Sequence, residues 1–191
     1  MKPLALLLLS GLLEASAPDA LPLRDAAGAV HPASELRQGR VTVLVFLSTE
    51  CPLCNRAIPD LNALAARYAG RAAFLAVNPE KDRSAEEVLR HDREYALAFP
   101  TVLDPEQRLS RAVRATVTPE AVVLGGDGAV LYRGRVDDRA VDFGKVRPRP
   151  RREDLRIAVD EALAGRPISI PETPVLGCFI SGTQSTQGAQ P

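Results

Sequence analysis

Val41-Thr-Val-Leu-Val-Phe-Leu47-Ser-Thr-Glu50-Cys51-Pro-Leu-Cys54-Asn55 is the stretch whose reading decides the fold. The β-branched and apolar run from Val41 to Leu47 predicts a central strand covered on both faces, and a helix-like pattern begins near Asn55. Two thiols therefore stand where a strand becomes a helix. Backbone N–H groups at a helix start carry partial positive charge, which favours the thiolate, and the thiolate is the form that attacks disulfides. The alternative for Cys51 and Cys54 is a static structural disulfide or a metal clip.

Downstream, Ile58, Leu61, Leu64, Ala65 and Tyr68 recur at helical spacing up to Gly70, with Pro59 expected to kink the helix. Ala72 to Val77 reads as a second buried strand and Ala85 to Tyr95 as a surface helix. Pro100 to Leu103 is strand-like, Gln107 to Arg114 helical, and Ala121 to Leu124 with Ala129 to Tyr132 form two strands around a Gly-rich turn. Glu153 to Ala164 closes the pattern as a helix stopped by Gly165. On the N-terminal side, Leu21 to Leu23 and Asp25 to Gly28 read as a strand and turn, and Ser34 to Arg37 as a helical turn.

The chain has 191 residues, no net formal charge and three cysteines. That length supports one substantial core, and the absence of a global field together with 4% aromatic residues argues against nucleic-acid partners. Lys2, the apolar stretch Leu4 to Leu13 and Ala15-Ser16-Ala17 have the form of a secretory signal peptide over residues 1–17. An uncleaved membrane anchor is the rival reading, but the stretch is shorter than the roughly twenty residues that span a bilayer. Export places the mature protein, from residue 18, in a bacterial periplasm or outside the cell, with no stable membrane insertion expected after cleavage. The expected organisation is a leader over 1–17, one domain over 18–164 and a tail over 165–191, with 181–191 disordered.

Strand, Cys-x-x-Cys, a helix with Pro59, then Thr118-Pro119 before a terminal hairpin resembles the thioredoxin-like superfamily. Phe99-Pro-Thr-Val-Leu-Asp104 and Thr118-Pro-Glu-Ala-Val-Val-Leu124 resemble its redoxin branch, which includes AhpC/TSA-type peroxidases and exported thioredoxin-like reductases. The resemblance implies an α/β fold with a central mixed sheet flanked by helices, here with an N-terminal extension and a helical insertion. It implies that Cys51 attacks and Cys54 resolves, that Pro52, Leu53, Thr118 and Pro119 face the substrate, and that Thr118-Pro119 is the cis-Pro loop opposite the dithiol. The partners implied are protein disulfides or dithiols and an electron donor or acceptor. No organic cofactor and no metal are implied.

The chain departs from these patterns at named positions. Val45 stands where thioredoxins carry the buried acid that takes a proton from the second thiol, and Glu50 replaces the Trp before the first Cys. A carboxylate there opposes the helix-start effect by about 1 kcal/mol. Glu50 is a candidate proton shuttle or a solvated loop carboxylate. Ser48-x-x-Cys51 resembles the end of the peroxiredoxin motif, which makes a peroxidatic Cys51 the second reading, although Leu44 replaces the motif's Pro and Thr118-Pro119 stands where an Arg is needed. The third reading is a copper-binding module, but the Sco-type spacing and its nearby His are absent.

Cys178, within Gly177-Cys178-Phe179-Ile180, is a candidate third redox thiol, a packed Cys or a partner-linking Cys, and its apolar neighbours indicate that this part of the tail docks on the domain. His31 and His91 read as solvated surface residues. The five basic residues of Lys145 to Arg152 read as a solvated linker, and Asp137 and Asp138 as partners in salt bridges rather than a cation site.

Overall fold

A computed structural model describes residues 23–32, 40–142 and 144–181. The 1–17 leader, the Ser34 to Arg37 turn and, apart from Ser181, the 181–191 tail end lie outside the described residues.

Strand β3 (Val41–Phe46) is buried along its whole length and sits in the middle of the sheet. Its side chains alternate between two layers. Val41, Val43 and Val45 meet Ile58 and Leu61 of helix α1 (Pro52–Arg67), and Leu44 and Phe46 meet Leu109 and Val113 on the other face. Both faces are apolar because both are covered, so the run shows no polar alternation.

Strand β4 (Ala72–Asn78) pairs parallel with β3 and with β5 (Thr101–Leu103). Strand β7 (Glu120–Leu124) pairs antiparallel with β3 and with β8 (Val130–Gly134), giving the order β5-β4-β3-β7-β8. The expected mixed sheet is present. Helix α1 begins at Pro52, three residues before the expected start, because Pro at the first helical position has no N–H to lose and its φ is preset for the helix. Cys51 is thereby the N-cap.

Helix α2 (Ala85–Glu94) starts with a reciprocal capping box between Ser84 and Glu87 and buries only Val88. Helix α3 (Arg108–Ala112) covers one face of the sheet through Leu109, and helix α4 (Asp154–Leu163) covers the other through Leu155, Ala158 and Val159. The N-terminal extension is a small hairpin of β1 (Leu23–Arg24) and β2 (Val30–His31), bridged to Val102 at Asp25.

Three local expectations are corrected. Neither histidine is a free surface residue: the part-buried His31 has its Nε2 2.9 Å from the Asp25 carboxylate, and His91 pairs with Asn55 Oδ1 at 2.8 Å and packs on the Tyr95 ring. The basic run is not a free linker. Lys145 and Val146 form a strand (Lys145–Val146) antiparallel to Ala140–Asp142, and Asp138 accepts the backbone N–H groups of Arg151 and Arg152 at 2.7 and 3.0 Å. The carboxylates in this region do pair with arginines, Asp137 with Arg139 and Asp154 with Arg135 and Arg152.

The segment after α4 does not trail away. Pro171 and Thr173 exchange backbone hydrogen bonds with Arg133 of β8, and the Thr173 hydroxyl meets the Tyr132 hydroxyl at 2.7 Å. The chain then crosses the molecule as a strap. Its Cys178–Phe179 pairs antiparallel with β6 (Val117–Thr118), and beyond it Ile180 is buried against Leu109 and Val113.

Candidate redox site

The site is assembled where β3 ends and α1 begins, beside the carboxyl end of the parallel neighbour β4. The loop between β3 and α1 is held by Glu80, just after β4. Its carboxylate accepts hydrogen bonds from the Ser48 hydroxyl at 3.0 Å, from the Thr49 N–H and hydroxyl at 2.9 Å each, and from the Asn78 amide at 2.7 Å. Charge-assisted bonds of this kind are stronger than neutral ones and fix the entry of the helix. Sequence reading passed over Glu80. The signal was its position directly after a parallel strand adjoining the strand that leads to the thiols, where α/β sheets gather their functional groups.

Helix α1 buries Cys54, Ala57, Ile58 and Leu61 along one stripe, so the periodicity that docks the helix also carries Cys54 inward. Both Cys51 and Cys54 are fully buried, whereas Cys178 is exposed, and all three are free thiols. Pro52 faces solvent and Leu53 is half-buried, lining with Pro119 a groove closed by Pro174, Val175 and Leu176 of the strap.

The Thr118–Pro119 peptide is cis, as the resemblance implies, and the loop does face the thiols. Cys51 Sγ lies 3.3 Å from the Thr118 carbonyl oxygen, to which the protonated thiol donates. The backbone edge at residue 118 is already occupied. Thr118 is paired in register with Cys178 of the chain's own strap, and its hydroxyl donates to the Cys178 carbonyl at 3.5 Å. The Cys178 thiol in turn donates to Cys51 Sγ at 3.1 Å. Three sulfurs thus meet at one point.

These neighbours drive the thiols apart in acidity. The Cys54 thiol hydrogen bond lowers the Cys51 pKa most; the Cys178 thiol and the N–H groups of Cys54 and Leu53 lower it further, to about 5, against the cost of burial. Burial first, and then the Cys51 thiolate beside it, push Cys54 well above the ordinary thiol value. Its other bonds, from the Ser48 N–H at 3.5 Å and from Thr118, only moderate that. Hydrogen bonding to Cys51, followed by burial, raises Cys178 to about 11. One sulfur is therefore ionised near neutrality and two are held as donors around it.

Glu50 stands apart from this arrangement: its carboxylate is largely exposed and ion-paired with Arg83. Val45, at the position of the missing acid, is a fully buried side chain of the core.

Comparison with known proteins agrees with this geometry. A hypothetical protein from Sinorhizobium meliloti is similar at 28% identity with a TM-score of 0.73, covering 88% of this chain and 93% of the other. An uncharacterized conserved protein from Geobacillus kaustophilus is similar at 27% identity with a TM-score of 0.77, covering 91% and 93%. A secreted Mycobacterium tuberculosis disulfide oxidoreductase, described as homologous to DsbE of Escherichia coli, shares the fold at 23% identity, a TM-score of 0.51 and coverage of 58% and 79%. No curated protein matches. The redoxin family model matches residues 13–146, and the chain accordingly belongs to the redoxin family, with a thioredoxin-like fold.

Proposed function

We propose that this protein is an exported thiol-disulfide oxidoreductase in which Cys51 is the attacking thiol and Cys54 the resolving one. The observation that carries the reading is the placement of two thiols at one helix start, Cys51 as the N-cap and Cys54 buried one turn on, which favours the thiolate at Cys51 and the protonated thiol at Cys54. The Cys51 thiolate attacks one sulfur of a protein disulfide, forming a mixed disulfide and releasing the other sulfur as thiolate. Cys54 then gives its proton to solvent or to the thiolate already released and attacks Cys51 Sγ, which forms the Cys51–Cys54 disulfide and frees the second substrate sulfur as thiolate. The two electrons come from the protein dithiol and end on the substrate dithiol, so no organic cofactor is required. The reverse sequence oxidises a substrate dithiol.

Leu53, Thr118 and Pro119 would contact the substrate chain, with Pro52 on the rim. A leader over 1–17 would deliver the domain, 18–164 with its tail, to a periplasm or the cell exterior.

The test is trapping. A Cys54→Ser, Cys178→Ser double variant treated with a disulfide-containing peptide should accumulate a mixed disulfide at Cys51, and a Cys51→Ser, Cys178→Ser variant should accumulate none. Equal trapping by both, or none by either, overturns the assignment.

A further inference from the structure

The strap occupies the position that an incoming polypeptide would take. Its Cys178 backbone pairs with Thr118, its sulfur is 3.1 Å from Cys51, and Gly177 lies so close to the cis-Pro loop that a Cβ there would be 2.8 Å from the Thr118 carbonyl carbon and nearer still to its oxygen. Only a residue without a side chain permits that approach. Beyond it, the Ile180 N–H donates to the Thr116 carbonyl, and Gln107 donates to the Ser181 carbonyl at 2.6 Å. The strap is thus fixed on both sides of Cys178.

With the strap in this place Cys51 and Cys54 are both fully buried, while Cys178 opens onto a cleft bordered by Glu50, Lys81, Arg83 and Phe179. While the strap is seated, an external protein thiol meets Cys178 rather than the buried pair.

We propose that Cys178 is a third exchange residue, which brings the buried disulfide to the surface by isomerising Cys51–Cys54 into Cys51–Cys178. The proposal rests on the oxidoreductase reading above. In the step, the Cys178 thiol loses its proton and attacks Cys51 Sγ; the Cys51–Cys54 bond breaks, the Cys51–Cys178 bond forms, and Cys54 leaves as a thiolate that takes up a proton. One disulfide and one thiol are present before and after. An external protein thiolate then attacks Cys178 Sγ from this cleft and expels the Cys51 thiolate. Cys51 is the better leaving group because its thiolate is the more stable of the two, which directs attack to Cys178. A second thiol of the external protein releases Cys178, so that the dithiol donor becomes a disulfide and this protein is fully reduced. The strap thus acts as a tethered strand, and the tether rather than the bulk thiol concentration sets how often its sulfur meets Cys51.

The test uses the full chain oxidised with one equivalent of diamide, alkylated and mapped by mass spectrometry, and then reduced with thioredoxin as the protein-thiol probe. In the wild type the free thiol should be divided between Cys54 and Cys178. Cys54→Ser should hold a Cys51–Cys178 disulfide. Gly177→Ala, which keeps all three thiols but displaces the strap, should lower the Cys51–Cys178 share at least about tenfold, and thioredoxin should reduce Cys178→Ser at least about tenfold more slowly than wild type. A Cys54→Ser protein in which Cys178 stays free, or a Cys178→Ser protein reduced as fast as wild type or faster, overturns the relay. A wild type that never forms Cys51–Cys54 overturns the oxidoreductase reading instead.

Discussion

Cys51 is flanked by two thiols that reach it from regions of very different construction. Cys54 belongs to a helix of sixteen residues whose buried stripe, with Ile58 and Leu61, is part of the main core. Cys178 belongs to a two-residue strand at the end of a strap, exposed itself and followed by Phe179, which is 70% exposed. The same chemical contact is thus made once by a long core helix and once by a two-residue strand. In the proposed cycle a resolving thiol has to be in place at every turnover, which suits the core helix, whereas a thiol sharing its position with a substrate strand would have to give way to it.

The largest test of this contrast is stability. Leu61→Ala removes a fully buried side chain between α1 and the sheet and should lower unfolding free energy by about 2–5 kcal/mol. Ile180→Ala removes a side chain that is also buried, but its cost should be smaller, because the strap can separate locally before the sheet unfolds. Denaturant unfolding with hydrogen exchange at Cys178 and Ile180 measures both; equal losses would make strap and core one cooperative unit.

The loop that presents Cys51 should come next. Glu80→Ala strands the Ser48, Thr49 and Asn78 donors and should cost about 1–3 kcal/mol, with faster exchange at the Thr49 amide. An unchanged unfolding midpoint would show that the loop holds itself.

Acidity separates the regions more finely. The reduced protein's ultraviolet thiolate absorbance should titrate with a midpoint near pH 5 for Cys51. Because that folded value lies below the ordinary 9.0, the thiolate's contribution to stability is full above pH 9, shrinks as pH falls and is gone below about 5. A midpoint near 9 would remove the basis for Cys51 as the attacking thiol. Smallest of all, Cys54→Ala should raise this midpoint more than Cys178→Ala does, since the Cys54 hydrogen bond is the dominant stabiliser of the thiolate. The reverse order would make the strap, not the helix, the principal partner.

The same contrast governs what was legible in the sequence. The central strand, α1, β4 and α2 stand within a few residues of their expected spans, because long apolar periodicities are set by burial against many neighbours. The thiol pair, its helix context and the cis-Pro loop could be read from three landmarks in order. The strap's strand could not, because two residues beside a glycine carry no alternation, and their pairing depends on which edge the fold leaves vacant. The Lys145–Val146 strand was hidden for the same reason, within a run of charge and proline. Glu80 and His91 were missed because their partners, Ser48 and Asn55, lie more than thirty positions away in sequence and meet them only through β-sheet register and helix packing.

A thiol-disulfide redox titration of the wild-type protein, with the paired cysteines mapped at each potential, tests the Cys51–Cys54 couple itself. The expected result is a reversible two-electron couple in which Cys51–Cys54 is oxidised and reduced as a unit, whatever share passes to Cys51–Cys178. Cysteines that never pair across the range, or a Cys51 that goes directly to sulfenate with hydrogen peroxide and forms no disulfide with Cys54, would contradict it.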